Sequence, residues 1–252
     1  MTRNTPGPKP VALVVGAGDY IGAAIARRFA AGGFQVCLGR RNGDKLAPLV
    51  DEIEAAGGTA HPFGFDARQE DQTEALFARI EADIGPLEVV IFNVGGNVYF
   101  PIRETTSRVF RKVWEMATFA GFLSGREAAK YMVPRGRGAI FFTGATASLR
   151  GGIGFSAFAA GKFGLRALAQ SMARELGPEN IHVAHLVIDA GVDTQWVRER
   201  IKDRDGEDAL ENLQPDQLID PASIGEAYWQ LYQQPRDCWT HELDVRPYIE
   251  NW

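Results

Sequence analysis

Short runs of apolar and β-branched residues alternate along the chain with longer stretches in which apolar residues recur at helical spacing. The short runs predict seven strands, at Val11–Val15, Gln35–Gly39, Thr59–Phe65, Val89–Asn93, Gly138–Thr143, His182–Val187 and His241–Val245. The longer stretches predict helices at Ile21–Ala31, Asp44–Ala56, Gln69–Ile84, Ser107–Met132, Phe155–Leu176 and Pro221–Tyr232. Asp220 before Pro221 is a start signal, because its carboxylate caps free amides while proline suits the first turn. Pro134 and Pro178 each follow a helix as stops. Strands separated by helices predict an α/β class, with a mainly parallel sheet covered on both faces. The charged stretch Arg198–Glu211, with Gly206 inside it, reads as a solvated helix or a mobile flap. The flap is preferred, because loops after strand ends cover ligands in such folds.

Composition narrows the picture. The 252 residues suit one large core, so a single domain is expected from Val11 to Trp252, with a flexible segment at 1–10 and a C-terminal tail at 246–252. A net charge of −5 and 23% charged residues give no bias toward nucleic acid or anionic membranes. No apolar run approaches membrane-spanning length, and the polar, proline-rich Thr2–Pro10 segment lacks the core of a secretion signal. A cytoplasmic protein is expected. Cys37 and Cys238 lack disulfide or metal spacing, and His61, His182, His185 and His241 are scattered over strands, so no metal site is expected.

The first predicted strand runs into Gly16-Ala17-Gly18-Asp19-Tyr20-Ile21-Gly22 and then a helix. Glycines allow a tight turn and close backbone approach, while a helix N-terminus offers free amides and partial positive charge. A dinucleotide is the natural guest. With Asp66 after the third strand, Phe92-Asn93-Val94-Gly95 after the fourth and Lys162 on a long helix, the chain resembles the short-chain dehydrogenase/reductase superfamily from about Val11 to Val245.

That resemblance implies a Rossmann-type doubly wound fold, a nicotinamide coenzyme and, with the usual helix pairing of relatives, a homodimer or homotetramer. By similarity Gly16, Gly18, Tyr20, Ile21 and Gly22 would form the pyrophosphate turn, with Tyr20 where relatives carry a middle glycine. Asp66 and Ala67 would meet the adenine, and Asn93, Val94 and Gly95 the adenosine ribose side. Lys162 would bond the nicotinamide ribose, and Val192 and Thr194 would contact the carboxamide. Arg40 and Arg41 stand at the end of the second strand, where NAD-preferring relatives place an acid, so NADP is expected over NAD. The plainer reading of the two arginines is solvation, with pairing to Asp19 or Asp44.

The family's catalytic positions are where the chain departs. Counting back from Lys162, the tyrosine position holds Phe158 and the serine position Ala145, while the asparagine position falls at Thr118. Phe155 occupies the alternative tyrosine register of the divergent enoyl reductases. Phenylalanine and alanine neither donate to a carbonyl nor move a proton, and such assistance is worth about 10²- to 10⁴-fold. Thr146 is the first candidate substitute, ahead of Ser148, Tyr99, Ser156 and water. Asp189, in the altered turn after the sixth strand, reads as a turn cap or as a new acid or base near the nicotinamide. Phe100, Leu149, Ile153, Phe155 and Trp196 suggest an apolar substrate mouth. Two functions are left open. One is an atypical oxidoreductase acting on a hydrophobic carbonyl, imine or alkene. The other is a catalytically silent nucleotide-binding protein that serves as a redox sensor or partner subunit.

Overall fold

The computed structural model describes residues 9–250. The 1–8 part of the expected flexible segment, and Asn251 and Trp252 of the expected tail, lie outside the described residues. Pro10 already belongs to the folded body, since its carbonyl accepts the Gln35 amide at 2.9 Å.

Seven strands form one sheet in the order β3-β2-β1-β4-β5-β6-β7, every pair parallel. They are β1 (Val11–Val15), β2 (Gln35–Arg40), β3 (Thr59–Gly64), β4 (Leu87–Phe92), β5 (Gly138–Thr143), β6 (Ile181–Ile188) and β7 (Glu242–Val245). The chain runs outward from β1 to β3, then returns to place β4 on the other side of β1. The crevice at the β1/β4 carboxyl ends is therefore the topological switch point, where open α/β sheets bind ligands.

The continuous apolar runs are the physical consequence of covering both faces. Every residue of β1 and β6 is buried. Side chains alternate between faces with period two, so Ala12 and Val14 join one core while Val11, Leu13 and Val15 join the other. The first core takes Ile25 and Phe29 from α1 (Ile21–Ala31), Leu49 and Ile53 from α2 (Ala47–Ala55), and Ile224 and Tyr228 from α8 (Pro221–Tyr232). The second takes Leu76 and Phe77 from α3 (Glu70–Asp83), Ala128 from α5 (Ala120–Met132) and Leu165 from α6 (Ser156–Leu176).

Two expectations need correction. The expected helix over Ser107–Met132 is not continuous: α4 (Ser107–Trp114) passes through a π-helical turn at Glu115–Phe119 before α5 begins. Apolar spacing is nearly the same on both sides of one extra residue in a turn, so periodicity does not register it. The break lies against α6. Thr118 Oγ1 donates to the Gly161 carbonyl at 2.7 Å, and a Cβ on Gly164 would stand 2.6 Å from Thr118 Oγ1. The preferred flap over Arg198–Glu211 is instead helical, as α7 (Gln195–Asp205) followed by a short 3-10 turn at Glu207–Leu210. No residue of α7 is buried. Its charges hold it by local pairing, with Thr194 Oγ1 capping the Val197 amide at 3.1 Å.

Candidate functional site

At the switch point, a cleft of about 240 Å³ collects residues from five separate stretches of the chain. Gly16 and Gly18 come from the turn after β1, and Arg40 and Arg41 from the end of β2. Asp66 and Ala67 follow β3, Asn93, Val94 and Gly95 follow β4, and Met116 and Ala120 come from the π turn and α5.

The glycines divide by what surrounds them. A Cβ on Gly22 would stand 2.3 Å from the Gly16 carbonyl oxygen, and one on Gly16, at φ +90°, would stand 2.6 Å from the Asn93 carbonyl oxygen. These two are required for the turn to close on itself. A Cβ on Gly18 or Gly95 would meet nothing within 4 Å. Here the backbone lines open space that a ligand can enter. The α1 N-terminus beside it has no side-chain cap and no acidic residue in its first turn, so its partial positive charge faces that space. The turn is pinned from both neighbouring strands. The Gly39 carbonyl accepts the Gly16 and Ala17 amides at 2.9 and 3.0 Å, and Asn93 Nδ2 donates to the Gly16 carbonyl at 3.1 Å.

Charge in the cleft is arranged in pairs. Arg40 Nη1 lies 2.6 Å from Asp19 Oδ1, which holds the Asp19 carboxyl below its ordinary range and neutralises the one acid inside the glycine turn. The pairing with Asp19 is therefore realised, and Arg41 is left with no ion pair among the described residues. Asp66 is held in the carboxylate form chiefly by Arg68, whose Nη2 and Nε lie 2.5 and 2.9 Å from its oxygens. The Asp66 amide donates to Gln72 Oε1 at 2.9 Å. Arg68, Gln72, Met116 and Ala120 escaped the sequence reading. Only Arg68 left a trace, as the residue two after an aspartate that turns the chain.

At the other end, Lys162 is 3% exposed on α6 and donates to the Thr143 carbonyl at 2.7 Å and the Val94 carbonyl at 3.3 Å. Burial lowers its pKa to about 8. One turn earlier, the Phe158 ring centroid is 6.0 Å from Nζ. Phe158 belongs to a small apolar cluster with Ala147, Ala157 and Val113, against which Ala145 and Phe155 pack. No hydroxyl stands at either position. Ser148 is fully buried and its Oγ accepts the Ala145 amide at 3.1 Å, whereas Thr146 beside it is half-buried.

The turn after β6 is built differently from the expectation. Asp189 is fully buried and caps no amide among the described residues: Arg150 reaches it through two bonds of 3.2 Å, and Arg246 Nη2 lies 3.5 Å away. Held by two guanidiniums, it ties the loop after β5 and the start of the C-terminal tail to the end of β6. Tyr248 of that tail is 76% exposed. Val192 places its side chain in the core and bridges to Ile219, and Thr194 caps α7. Tyr20 lies between the two halves of the site, its hydroxyl accepting the Gln195 amide at 3.1 Å. Its ring thus spans from the glycine turn to the first turn of α7.

Comparison with known proteins points one way. Residues 10–205 match a family model described as short chain dehydrogenase. A solved short-chain dehydrogenase from Rhodopseudomonas palustris is 58% identical, with a TM-score of 0.81 over 95% of this chain and 99% of that one. A metagenomic short-chain oxidoreductase solved in complex with NADP is 26% identical, with a TM-score of 0.79 over 96% of this chain and 99% of that one. A short-chain dehydrogenase/reductase from Armillaria gallica is 35% identical over 176 residues, 69% of this chain and 67% of its own.

Proposed function

The chain belongs to the short-chain dehydrogenase/reductase family and is an NAD(P)-dependent oxidoreductase, and from that premise we propose that it works on a small, largely apolar carbonyl, imine or alkene, or the corresponding reduced compound, with NADP as the preferred coenzyme. The observation that carries the reading is the open backbone at Gly18 and Gly95, beside an uncapped helix N-terminus and Arg41, which has no ion pair among the described residues. A dinucleotide fits that set. The Gly18 backbone and the first amides of α1 would hold the pyrophosphate, and Arg41 would hold a 2′-phosphate. Asp66 would accept from the adenine amino group, with Ala67, Asn93, Val94 and Gly95 along the adenosine.

When bound, the nicotinamide supplies or accepts the hydride. The chain has to supply the rest, which is a positive field and a proton route to the substrate oxygen or nitrogen. Lys162 provides the charge from a site that two carbonyls keep oriented. Phe158 and Ala145 leave the proton to another group, and we assign the substrate-facing hydroxyl to Thr146, which follows Ala145 directly and is not enclosed as Ser148 is. The silent sensor or partner-subunit reading is not favoured by relatives that are described as dehydrogenases and oxidoreductases.

For the assembly we propose a homodimer or homotetramer through α4, α5 and α6. Their surfaces expose Phe110, Trp114, Phe122 and Phe163.

The test is turnover. Purified protein with NADPH and a panel of ketones, enones and imines should consume coenzyme, and Thr146→Val should cut the rate at least about tenfold. The double substitution Phe158→Tyr with Ala145→Ser should raise ordinary ketone reduction by about 10²- to 10⁴-fold. No gain from the double variant, with coenzyme still bound, would remove the positional assignment. Tight NADPH binding without consumption across the panel would return the sensor reading.

A further inference from the structure

Four basic side chains project from α7, and three are neutralised next door. Arg198 pairs with Asp193 at 2.5 Å, Lys202 with Glu207 at 3.2 Å and Arg204 with Asp205 at 2.5 Å. Arg200 is the exception, with no ion pair among the described residues. Its guanidinium carbon instead lies 5.4 Å from the Phe155 ring centroid and 5.3 Å from that of Trp196. Ring faces attract a guanidinium through its charge while leaving the N–H edge free to donate. Two of them also restrict a side chain that is otherwise costly to order. In a protein of net charge −5, one cation is thus set in place and left without a counter-ion.

Its position matters as much as its charge. Phe155 packs against the cluster that contains Phe158, as Ala145 also does, and those are the two positions empty of hydroxyls. The same ring meets Tyr99 edge-on at 5.4 Å, and Tyr99, Trp196 and Ile153 are all largely exposed. Arg200 therefore stands one ring's width from the cluster where the chemistry is assigned, at the lip of an apolar surface. Arg150, five residues before Phe155 in the chain, is already bonded to Asp189 by both terminal nitrogens, so it adds no free charge. A guanidinium edge presents two parallel N–H donors, the geometry that the two oxygens of a planar carboxylate accept.

We propose that Arg200 receives the carboxylate of the substrate, which is then an apolar or aryl oxo acid, or its hydroxy acid, with the acid group about one ring away from the reacting carbon. The inference rests on the oxidoreductase reading for which carbon reacts, but not for whether the carboxylate binds.

The test uses 4-oxo-4-phenylbutanoate and its methyl ester, titrated by calorimetry into wild type, Arg200→Gln and Arg200→Lys, with and without NADPH, after NADPH uptake itself has been measured. The wild type should bind the acid about tenfold more tightly than the ester, the lower end for a charge-assisted bond at an exposed position. The preference should vanish in Arg200→Gln and return in part in Arg200→Lys. Equal binding of acid and ester by wild type, no binding of the acid, or a preference that survives in Arg200→Gln would overturn the assignment. Failure of NADPH to bind would strike the coenzyme reading alone, because the acid and ester comparison is also made without it.

Discussion

Adding one methyl group to Gly18 separates binding from folding in this turn. The Gly18 φ lies outside the left-handed region and its Cβ would meet nothing within 4 Å. Gly18→Ala should therefore keep the fold and raise stability by about 0.4–1 kcal/mol, because alanine has fewer unfolded conformations to lose. At about 2–4 °C per kcal/mol for a chain of this size, the melting temperature should stay level or rise by a few degrees. The methyl group does, however, occupy the space assigned to the pyrophosphate. Forcing a ligand against a misplaced methyl costs about 1–3 kcal/mol, or about 5- to 150-fold in NADPH affinity. Gly22→Ala is the converse. Its Cβ would be 2.3 Å from the Gly16 carbonyl oxygen and 2.7 Å from the Ala17 Cα, both backbone atoms that cannot rotate away. It should lose about 1–3 kcal/mol of stability or more, seen as a fall in melting temperature. Thermal melts and NADPH titrations of the two variants give the answer together. If Gly18→Ala binds NADPH within twofold of wild type, the phosphates do not pass over Gly18 and the cradle is misassigned.

With Arg40 engaged by Asp19, the proposed preference for NADP falls to Arg41. Arg41→Ala should weaken NADPH about tenfold while leaving NADH within about twofold, the modest size reflecting an exposed charge. Equal losses for both coenzymes, read by fluorescence titration, would show that no 2′-phosphate is held there. Lys162 makes stability depend on pH in a predictable direction. Burial lowers its pKa from 10.5 unfolded to about 8 folded, so between those values the unfolded chain holds more protons and stability rises with pH. Relative to Lys162→Met, wild type should gain up to about 3 kcal/mol from pH 8 to pH 10.5, and lose it as pH falls back through 8. A flat difference in urea melts across that range would mean that the ammonium is not desolvated.

The element order was legible from the chain because it follows from local physics. β1, β5, α1 and α8 match the expected boundaries at Val11–Val15, Gly138–Thr143, Ile21–Ala31 and Pro221–Tyr232. Strands buried on both faces are predominantly apolar, with His182 and His185 the polar residues of β6, and Asp220 with Pro221 gives a local helix start. The glycine turn, Asp66, Asn93 and Lys162 also stood out in the chain, and the fold gathers the first three in one cleft while Lys162 donates to the Val94 carbonyl beside it. Tertiary structure alone decided the rest. The π turn at Glu115–Phe119 depends on α6 packing against Thr118, and that contact spans 43 positions along the chain. Asp189 reads as a turn residue until Arg150 and Arg246 arrive from distant segments to bury it. The four basic residues of α7 look alike in sequence, and only the aromatic rings folded beside Arg200 set it apart. Spacing and propensity act over a few neighbours, whereas the partner of a charge or hydroxyl is chosen by which segments the sheet brings together.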